Sequence, residues 1–265
     1  MSAGAPIVTD SAAVTSVGMR RDHNEDAYLE SAPLFLVADG MGGYEAGEVA
    51  SAAAIGAFGA LVGRPSLDIS ELREAYKTAG ENVMAVGSGG RRSAGTTLAG
   101  VAVSENLGAG YWLVVNVGDS RTYRYASGKL EQISVDHSLV QEMIDAGELS
   151  VEEAAAHQSR NVVTRALGAG IVSDADFWMI PAAAGDRMII CSDGLSGELT
   201  DGEIADILAG AASPRDTAQA LVDAANAHGG RDNVTVVVVD AISVSRAHDE
   251  VDGDTVPREH SEVRS

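Results

Sequence analysis

The stretch LFLVADGMGG (34–43) places a short apolar run directly before an aspartate and a glycine-rich turn. Such a run, bounded by Asp and Gly, is typical of a buried strand that ends near Asp39. The same junction recurs at WLVVNVG-Asp119 and RMIICS-Asp193. Asp232-Asn233 stands immediately before the apolar run VTVVVV, and Asp26 closes His23-Asn24-Glu25-Asp26 near the first strand. If these strand ends meet at one edge of a sheet, their carboxylates converge. They would then repel one another and take up protons unless cations keep them ionised.

This pattern of aspartates predicts a site for hard divalent cations. Carboxylate and carbonyl oxygens suit Mg²⁺ or Mn²⁺, and none of the six histidines has the HExxH spacing of a zinc site. Because Gly40 lacks a Cβ, the main chain there could approach an ion and offer its carbonyl oxygen. Two ions about 3.5–4 Å apart would lower the pKa of a bridging water and clamp the oxygens of a displacement at phosphorus.

Each junction also has an interpretation without a metal. A single Asp-Gly after a strand is more often a simple turn, and Asp119 could instead pair with Arg121 in a loop. The GMGG stretch could be a flexible connector, and it is not a P-loop, because the pattern GxxxxGK[ST] is missing. Asp232-Asn233 could be a hairpin or a strand entry. The recurrence of the same placement favours a site over these alternatives.

The composition restricts the class of protein. The chain has 265 residues, of which 45% are hydrophobic, enough for one sizeable core. A formal charge of −21 disfavours binding to nucleic acid or to an anionic membrane. The single cysteine, Cys191, excludes an intramolecular disulfide and lies in an apolar run, so we expect a buried residue and not a nucleophile. No signal-peptide pattern or membrane-length apolar run is present, so we expect a cytoplasmic protein.

Hydrophobic periodicity predicts a mixed α and β domain. Short apolar runs predict strands at 34–38, 98–103, 111–117, 187–191 and 234–239, with a hairpin over 122–134 that turns at Ser127-Gly128. Helical spacing predicts helices at 45–62, 69–86, 138–149, 201–211 and 213–229, the last with Ser213 as N-cap and Pro214 in its first turn. We expect one domain over 12–240, after an N-terminal lead (1–11) and before a disordered acidic tail (241–265) that has few large apolar residues.

Eight ordered motifs resemble those of the metal-dependent protein phosphatases, the type 2C or PPM family of Ser/Thr phosphatases. They are RDHNED (21–26), VADGMGGYEAGEVAS (37–51), SAGTT (93–97), NVGDSRTYRY (116–125), QISVDHSLV (132–140), RNVVTRALG (160–168), CSDGLSGELTDGEI (191–204) and RDNVTVVVVD (231–240). The series spans roughly residues 12–240, and the GMGG form is similar to that of the bacterial branch.

The resemblance implies an α+β fold, an αββα four-layer sandwich of two mostly antiparallel sheets flanked by helices. It implies that a hydroxide bound at a binuclear Mg²⁺ or Mn²⁺ centre removes phosphate from phosphoserine and phosphothreonine of proteins, which are targets of a Ser/Thr kinase. By motif position, the implied catalytic and metal-binding residues are Arg21 on the substrate phosphate, Asp26 (through water), Asp39, the Gly40 carbonyl, Asp193, Asp232, and Asp119 at a weaker third metal. Residues 138–165 match the mobile flap beside the site.

Two features depart from the family pattern. Tyr44 stands where bacterial members usually have His, so protonation of the leaving group would fall to another group or to water. Phe177 and Trp178 are bulkier than expected, which we interpret as core packing. Two other functions remain open: a non-catalytic metal-binding regulatory module of the same fold, and a hydrolase of small phosphate esters. The intact ligand positions disfavour the module, whereas composition does not separate the two hydrolases.

Overall fold

Twelve β-strands lie in the described part of this computed structural model, which comprises residues 4–42, 46–88, 94–155, 157–168, 174–210 and 212–246. They are β1 (Ile7–Ser16), β2 (Asp26–Ser31), β3 (Leu34–Met41), β4 (Gly95–Thr96), β5 (Leu98–Asn106), β6 (Ala109–Val117), β7 (Arg121–Ala126), β8 (Lys129–Gln132), β9 (Leu167–Gly168), β10 (Asp176–Pro181), β11 (Arg187–Cys191) and β12 (Val234–Val244).

The same ranges contain seven α-helices and a 3₁₀ turn at Gly59–Leu61. The helices are α1 (Ala46–Gly56), α2 (Ile69–Ser88), α3 (Leu139–Asp145), α4 (Val151–Ala155), α5 (Asp193–Ser196), α6 (Asp201–Gly210) and α7 (Pro214–His228). Within the described residues, no helix is long and apolar enough to cross a membrane.

The strands form two antiparallel sheets. The first has the order β1-β12-β11-β7-β8, and the second has the order β10-β6-β5-β3-β4-β9, with β2 paired along β3. The five predicted strands are parts of β3, β5, β6, β11 and β12. The predicted hairpin is also present, and Ser127 and Gly128 have φ angles of 51° and 76°, the left-handed conformation that a two-residue hairpin turn needs.

Alternate residues of β3 show how the four layers pack. Phe35 and Val37 point into the core between the two sheets, whereas Leu34, Leu36 and Ala38 pack against α1 and α2. The outer face of the first sheet packs in the same way against α5, α6 and α7. Because each sheet buries one face on the other sheet and one face under helices, the order of layers is αββα. The predicted fold class is confirmed.

The folded region extends past both limits expected from the sequence. β1 begins at Ile7, inside the expected lead, and β12 continues to Val244, inside the expected tail. These two segments pair with each other, and Ile7 and Ala241 are each 2% exposed. The expectation was wrong here because small apolar residues suffice for a strand once a neighbouring strand supplies the hydrogen bonds. The rest of the expected tail, 247–265, lies outside the described residues.

The helices begin and end near the predicted residues, with one exception. The predicted helix over 45–62 is interrupted, because α1 ends at Gly56 and a separate 3₁₀ turn follows at Gly59–Leu61. Gly56 and Gly59 lower the helix propensity at the interruption, and Phe58 between them is fully buried. At the start of α7, Ser213 Oγ accepts the Asp216 N–H at 3.1 Å, as the predicted N-cap requires.

Candidate active site

Five aspartates lie at strand ends on one side of the sandwich. Asp26 begins β2 and stands directly opposite Asp39 near the end of β3. Asp193 begins α5 and is separated from the end of β11 by one residue, Asp119 follows β6, and Asp232 precedes β12. Each of the other four is near enough to Asp39 for its charge to act on the Asp39 carboxyl. We call these five residues the acidic cluster.

Asp39 lies at the centre of the acidic cluster. Burial raises its pKa well above the usual range, and the charges of the other members, Asp26 and Asp193 first, raise it further. Burial and the charge of Asp232 also raise the pKa of Asp193. The carboxyl groups of Asp39 and Asp193 lie near enough to share a hydrogen bond when one of them is protonated. A proton at this position would balance charge that a cation could balance instead.

Two hydroxyl groups that were not predicted from the sequence hold Asp26 in place. Its Oδ2 accepts hydrogen bonds from Ser192 Oγ at 2.8 Å and from Thr235 Oγ1 at 2.7 Å. Its Oδ1 is buried and has no hydrogen-bond partner among the described residues. Burial raises the pKa of Asp26 to about 7, although the two hydroxyl groups lower it. A buried carboxylate oxygen without a partner, opposite Asp39, is an atom that a bound ion or its water would satisfy.

Gly40 lies where the main chain of β3 passes close to two other segments. A Cβ at this position would collide with the carbonyl oxygens of Gly47 and Glu25, so only glycine fits. The Gly40 N–H donates to the Glu25 carbonyl at 3.2 Å. The Glu25 carboxylate lies against Gly47 at the start of α1. Glu25 precedes Asp26 in the same motif, but its contact with the start of α1 was not predicted from the sequence. Its charge also acts on Arg21.

Asn233 fixes the position of Asp232 relative to the start of β2. Its Oδ1 accepts the Glu25 N–H at 2.8 Å, and its Nδ2 donates to the carbonyls of Val17 and His23, both at 2.9 Å. Its own N–H donates to Asp232 Oδ1 at 2.8 Å. The sequence indicated only a strand entry at Asp232-Asn233. The structure shows that the asparagine connects segments more than 200 positions apart.

Arg21 approaches the acidic cluster from the surface. Its Nη2 lies 2.6 Å from Asp232 Oδ2, and its side chain is 50% exposed. The guanidinium has five N–H donors, so this contact leaves others accessible to an incoming anion. A planar, permanently charged donor at the mouth of the site suits a phosphate group.

Two buried hydroxyl groups connect Asp119 with Asp39. Thr97 Oγ1 accepts the Asp39 N–H at 3.0 Å and lies 2.7 Å from Ser120 Oγ. Burial, with the charge of Asp193, raises the pKa of Asp119 to about 7. The alternative in which Asp119 pairs with Arg121 is wrong, because the Arg121 guanidinium binds Asp136 through Nε at 3.0 Å and Nη2 at 2.7 Å.

The donor set of the acidic cluster fits Mg²⁺ or Mn²⁺. Among the described residues, no group of three or more Asp, Glu, His or Cys side chains is arranged to hold an ion as it stands. Asp232 forms an ion pair with Arg21, and Asp39 lies beside Asp193. The donors are nevertheless carboxylate and carbonyl oxygens, and one of them is buried without a partner. Burial, with mutual repulsion added to it, raises the pKa values of Asp26, Asp39, Asp119 and Asp193, and a hard cation would relieve that repulsion.

Three further expectations concern residues around the site. Tyr44 lies outside the described residues. Cys191 is buried, and burial raises the pKa of its thiol to about 12, so it is not a nucleophile. Phe177 packs edge-to-face on Tyr76 with ring centroids 6.3 Å apart, while Trp178 packs against the core between the sheets. Core packing therefore accounts for both bulky residues.

An αββα sandwich with an oxygen-only acidic cluster and an exposed arginine beside it defines a metal-dependent phosphatase. The family described as Protein phosphatase 2C matches residues 18–229. The chain belongs to this family.

Relatives of known activity are bacterial Ser/Thr phosphatases. The chain is 32% identical over 253 residues to the serine/threonine phosphatase stp of Listeria welshimeri, a match that covers 89% of this chain and 97% of that protein. It is 38% identical over 236 residues to the serine/threonine protein phosphatase PstP of Mycobacterium tuberculosis, covering 87% of this chain and 45% of PstP. The chain thus spans less than half of PstP.

Solved structures show the same relationship. The crystal structure of M. tuberculosis PstP/Ppp has a TM-score of 0.83 at 36% identity and covers 89% of this chain and 100% of that one. The catalytic domain of PstP in complex with two manganese ions has a TM-score of 0.80 at 35% identity, with the same coverage. The predictions of a bacterial PPM phosphatase and of a protein-serine/threonine phosphatase that uses Mn²⁺ or Mg²⁺ are confirmed.

Proposed function

We propose that the acidic cluster is the site at which this chain hydrolyses phosphoserine and phosphothreonine in proteins. The observation that supports this most strongly is the placement of the buried Asp39 directly opposite Asp26 and beside Asp193. Burying several carboxyl groups together costs stability, because each is desolvated and all repel one another. A bound cation would offset this cost, because it attracts the ionised carboxylates and relieves their mutual repulsion.

The ligands of the ions follow from this arrangement. Asp39, Asp193 and Asp232 would supply carboxylate oxygens, and Gly40 would supply its carbonyl oxygen. Bound divalent cations would act as Lewis acids on the phosphate and lower the pKa of water at the site. Asp26 is fixed through its Oδ2, so its free Oδ1 is available to accept a hydrogen bond inside the site.

Arg21 is the residue that we assign to the substrate phosphate. Its position between Asp232 and solvent lets it exchange part of its contact with the carboxylate for phosphate oxygens when a substrate enters. Charge-assisted hydrogen bonds of this kind are about twice as strong as neutral ones. Arg21 also offsets the negative field of a chain whose formal charge is −21.

We also propose that the substrates are targets of a Ser/Thr kinase in the cytoplasm. The names of the relatives support a protein substrate. The single cysteine is unpaired, which is compatible with a reducing compartment. The strongly acidic charge disfavours polyanions such as nucleic acid as partners.

Turnover of p-nitrophenyl phosphate and of a phosphothreonine peptide tests the proposal. With Mn²⁺ or Mg²⁺ both substrates should be hydrolysed, and excess EDTA should abolish both activities. The substitution Asp39→Asn should lower turnover by more than about 100-fold, beyond the loss of an outer-shell partner. Asp206→Asn on the exposed face of α6 is the matched control and should leave turnover unchanged.

Two outcomes would contradict the proposal. Hydrolysis of p-nitrophenyl phosphate without any turnover of phosphopeptides would indicate a hydrolase of small phosphate esters. Binding of Mn²⁺ by calorimetry without turnover of either substrate would indicate a non-catalytic module.

A further inference from the structure

His137 connects three segments that border the acidic cluster. Its Nδ1 accepts the Gly118 N–H at 3.2 Å, and its own N–H donates to the Gly118 carbonyl at 2.9 Å. Its Nε2 lies 3.0 Å from Asp176 Oδ2 at the start of β10, and its carbonyl accepts the Thr164 N–H at 2.8 Å. The histidine is 5% exposed, so its contacts with Gly118 are shielded from water, whereas its partner Asp176 is 43% exposed.

The contacts fix the tautomer of the ring. Because Nδ1 accepts a hydrogen bond from a backbone N–H, it carries no proton. The proton of a neutral imidazole therefore lies on Nε2, where it is donated to Asp176. The two ring nitrogens thus have different tasks: one holds Gly118 and the other holds β10.

The position of Asp119 depends on the contact with Gly118. Gly118 has a φ of +105°, and a Cβ there would collide with the side chain of Thr97, so the loop has little room to rearrange. His137 binds both backbone polar groups of Gly118, the residue immediately before Asp119. His137, together with Asn116, whose Nδ2 donates to the Gly118 carbonyl at 3.1 Å, therefore fixes the residue from which Asp119 leaves the loop.

His137 also lies at the base of the segment 138–165, the expected flap. The two ends of that segment are paired, because the Leu139 N–H donates to the Val162 carbonyl at 2.9 Å and Ser138 pairs with Val163. Arg165 Nη1 lies 3.5 Å from the same Asp176 carboxylate that His137 binds. The base of the segment and the loop of Asp119 are therefore joined through one side chain.

We propose that His137 is a positioning residue for the phosphatase reaction, which holds Asp119 and the base of the segment 138–165 in register. It acts through the Gly118 contact and does not touch the substrate. The proposal rests on the proposed function, because it assigns His137 a role in the turnover of the same site.

Two amide substitutions separate the tasks of the ring nitrogens. In His137→Asn the Oδ1 takes the place of Nδ1 and can still accept the Gly118 N–H, whereas the contact with Asp176 is lost. In His137→Gln the carboxamide lies one carbon further out, where it can donate to Asp176 but cannot accept from Gly118. Asp176→Ala removes the contact between Asp176 and His137 Nε2 and keeps the histidine. The Asp176 side chain is 43% exposed. His228→Asn on α7, 49% exposed, is the matched control.

The assays are steady-state kinetics on a phosphothreonine peptide with saturating Mn²⁺, and amide hydrogen exchange at Gly118. We expect His137→Gln to lower kcat by about tenfold or more, as loss of an outer-shell partner does, with faster exchange at Gly118. His137→Asn and Asp176→Ala should keep kcat within about threefold of the wild-type value, with slow exchange at Gly118. The control should match the wild-type protein in both measurements.

Three results would overturn the proposal. Equal losses of kcat in His137→Asn and His137→Gln would mean that the Gly118 contact is not the one that matters. A lower melting temperature in His137→Gln with unchanged kcat, measured well below that temperature, would show a purely structural role. A loss of kcat in Asp176→Ala as large as that in His137→Gln would mean that the contact with Asp176 on β10 is the one that matters. An inactive wild-type protein would instead reject the proposed function.

Discussion

Asp26 and Asp39 are directly opposed residues of the antiparallel pair β2–β3. Like charges at such a position destabilise a strand pair. In the structure, two hydroxyl groups donate hydrogen bonds to Asp26, and burial raises the pKa of both opposed carboxyls. Without metal, the two opposed carboxyls are therefore partly protonated. A bound cation would stabilise their ionised form.

The metal-free protein should lose stability as the pH rises. Asp26 and Asp119 have pKa values of about 7, against a model-compound value of 3.8, so between these limits the folded state binds more protons than the unfolded state. Their contribution to stability is complete below about pH 4 and is lost as the pH passes through 7. Each carboxyl changes the free energy of unfolding by at most about 1.4 kcal/mol per pH unit. Melting temperatures in EDTA from pH 5 to pH 8 measure this slope.

The same melting temperatures, measured in saturating Mn²⁺, provide the comparison. Metal binding requires ionised ligands, so the slope should disappear or reverse in its presence. Asp26→Asn should also reduce the slope in EDTA, since that side chain no longer titrates. A metal-free protein whose stability rises steadily from pH 5 to pH 8 would contradict the raised pKa values of the acidic cluster.

The sequence was sufficient to predict the aspartates but not the groups that orient them. Asp39, Asp119, Asp193 and Asp232 each stand next to a strong strand pattern, so local periodicity locates them, whereas Asp26 was identified from its motif. Asn233 and Thr235 instead bind partners about 210 positions away, and no local pattern marks such contacts. His137 was visible only as part of a motif, because its role depends on Gly118 and Asp176, which lie in other segments.

The same distinction applies to the fold. The central strands β3, β5, β6, β11 and β12 have long apolar runs and were predicted. The sequence pattern did not reveal β1, β2 and β10, since they lie at or near sheet edges and mix small or polar residues with apolar ones. Their strand structure comes from pairing with a strong neighbour, as between β1 and β12. Pairing of this kind is a tertiary effect that single-sequence periodicity does not contain.

Substitution of Thr235 should weaken metal binding without touching a ligand. Thr235→Val keeps the volume of this fully buried residue but removes a donor to Asp26 Oδ2. Loss of a hydrogen bond to a buried charged group costs about 1–3 kcal/mol of stability. The affinity for Mn²⁺ should fall by about tenfold, as for other outer-shell partners. Calorimetric titration with Mn²⁺ and the melting temperature are the measurements.

Thr235→Ser is the matched control, because it retains the hydroxyl group. It should bind Mn²⁺ with nearly the affinity of the wild-type protein. If Thr235→Ser and Thr235→Val lose the same affinity, the methyl group and not the hydrogen bond is responsible, and the role assigned to the hydroxyl is wrong.

Removal of the Arg21 guanidinium should weaken phosphate binding more than metal binding. A charge-assisted contact contributes about 1.5–3 kcal/mol, so Arg21→Ala should lower kcat/KM by about 10- to 150-fold. The inhibition constant of inorganic phosphate should rise in parallel. Loss of the contact with Asp232 leaves that carboxylate free for a cation, so the affinity for Mn²⁺ should be kept.

Arg20 is the natural control for this experiment. It is the exposed neighbour of Arg21 and has the same charge. Arg20→Ala should leave kcat/KM and phosphate inhibition within about twofold of the wild-type values, since it tests only the general effect of charge. Equal effects of the two substitutions would mean that Arg21 acts through net charge and not through a specific contact.

Asp119 should affect the two model substrates differently. We predict that Asp119→Ala retains two bound metal ions by calorimetry, because Asp39, Asp193 and Asp232 remain, but loses the weaker third ion. A group that helps to protonate the leaving oxygen contributes about 10²- to 10⁴-fold. Turnover of a phosphoserine peptide, whose alkoxide is a poor leaving group, should fall by about 100-fold. Turnover of p-nitrophenyl phosphate, whose phenolate needs no acid, should fall by less than about tenfold.

A structural role for Asp119 gives a different result. If the side chain only anchors the turn at Ser120 and Arg121, the substitution lowers the melting temperature and reduces turnover of both substrates by the same factor. Asp119 is 9% exposed and follows Gly118, whose N–H and carbonyl both form hydrogen bonds with His137. Some loss of stability is therefore expected in either case. The ratio of the two turnover numbers is therefore the decisive measurement, with Asp206→Ala on α6 as the control for a lost acidic charge.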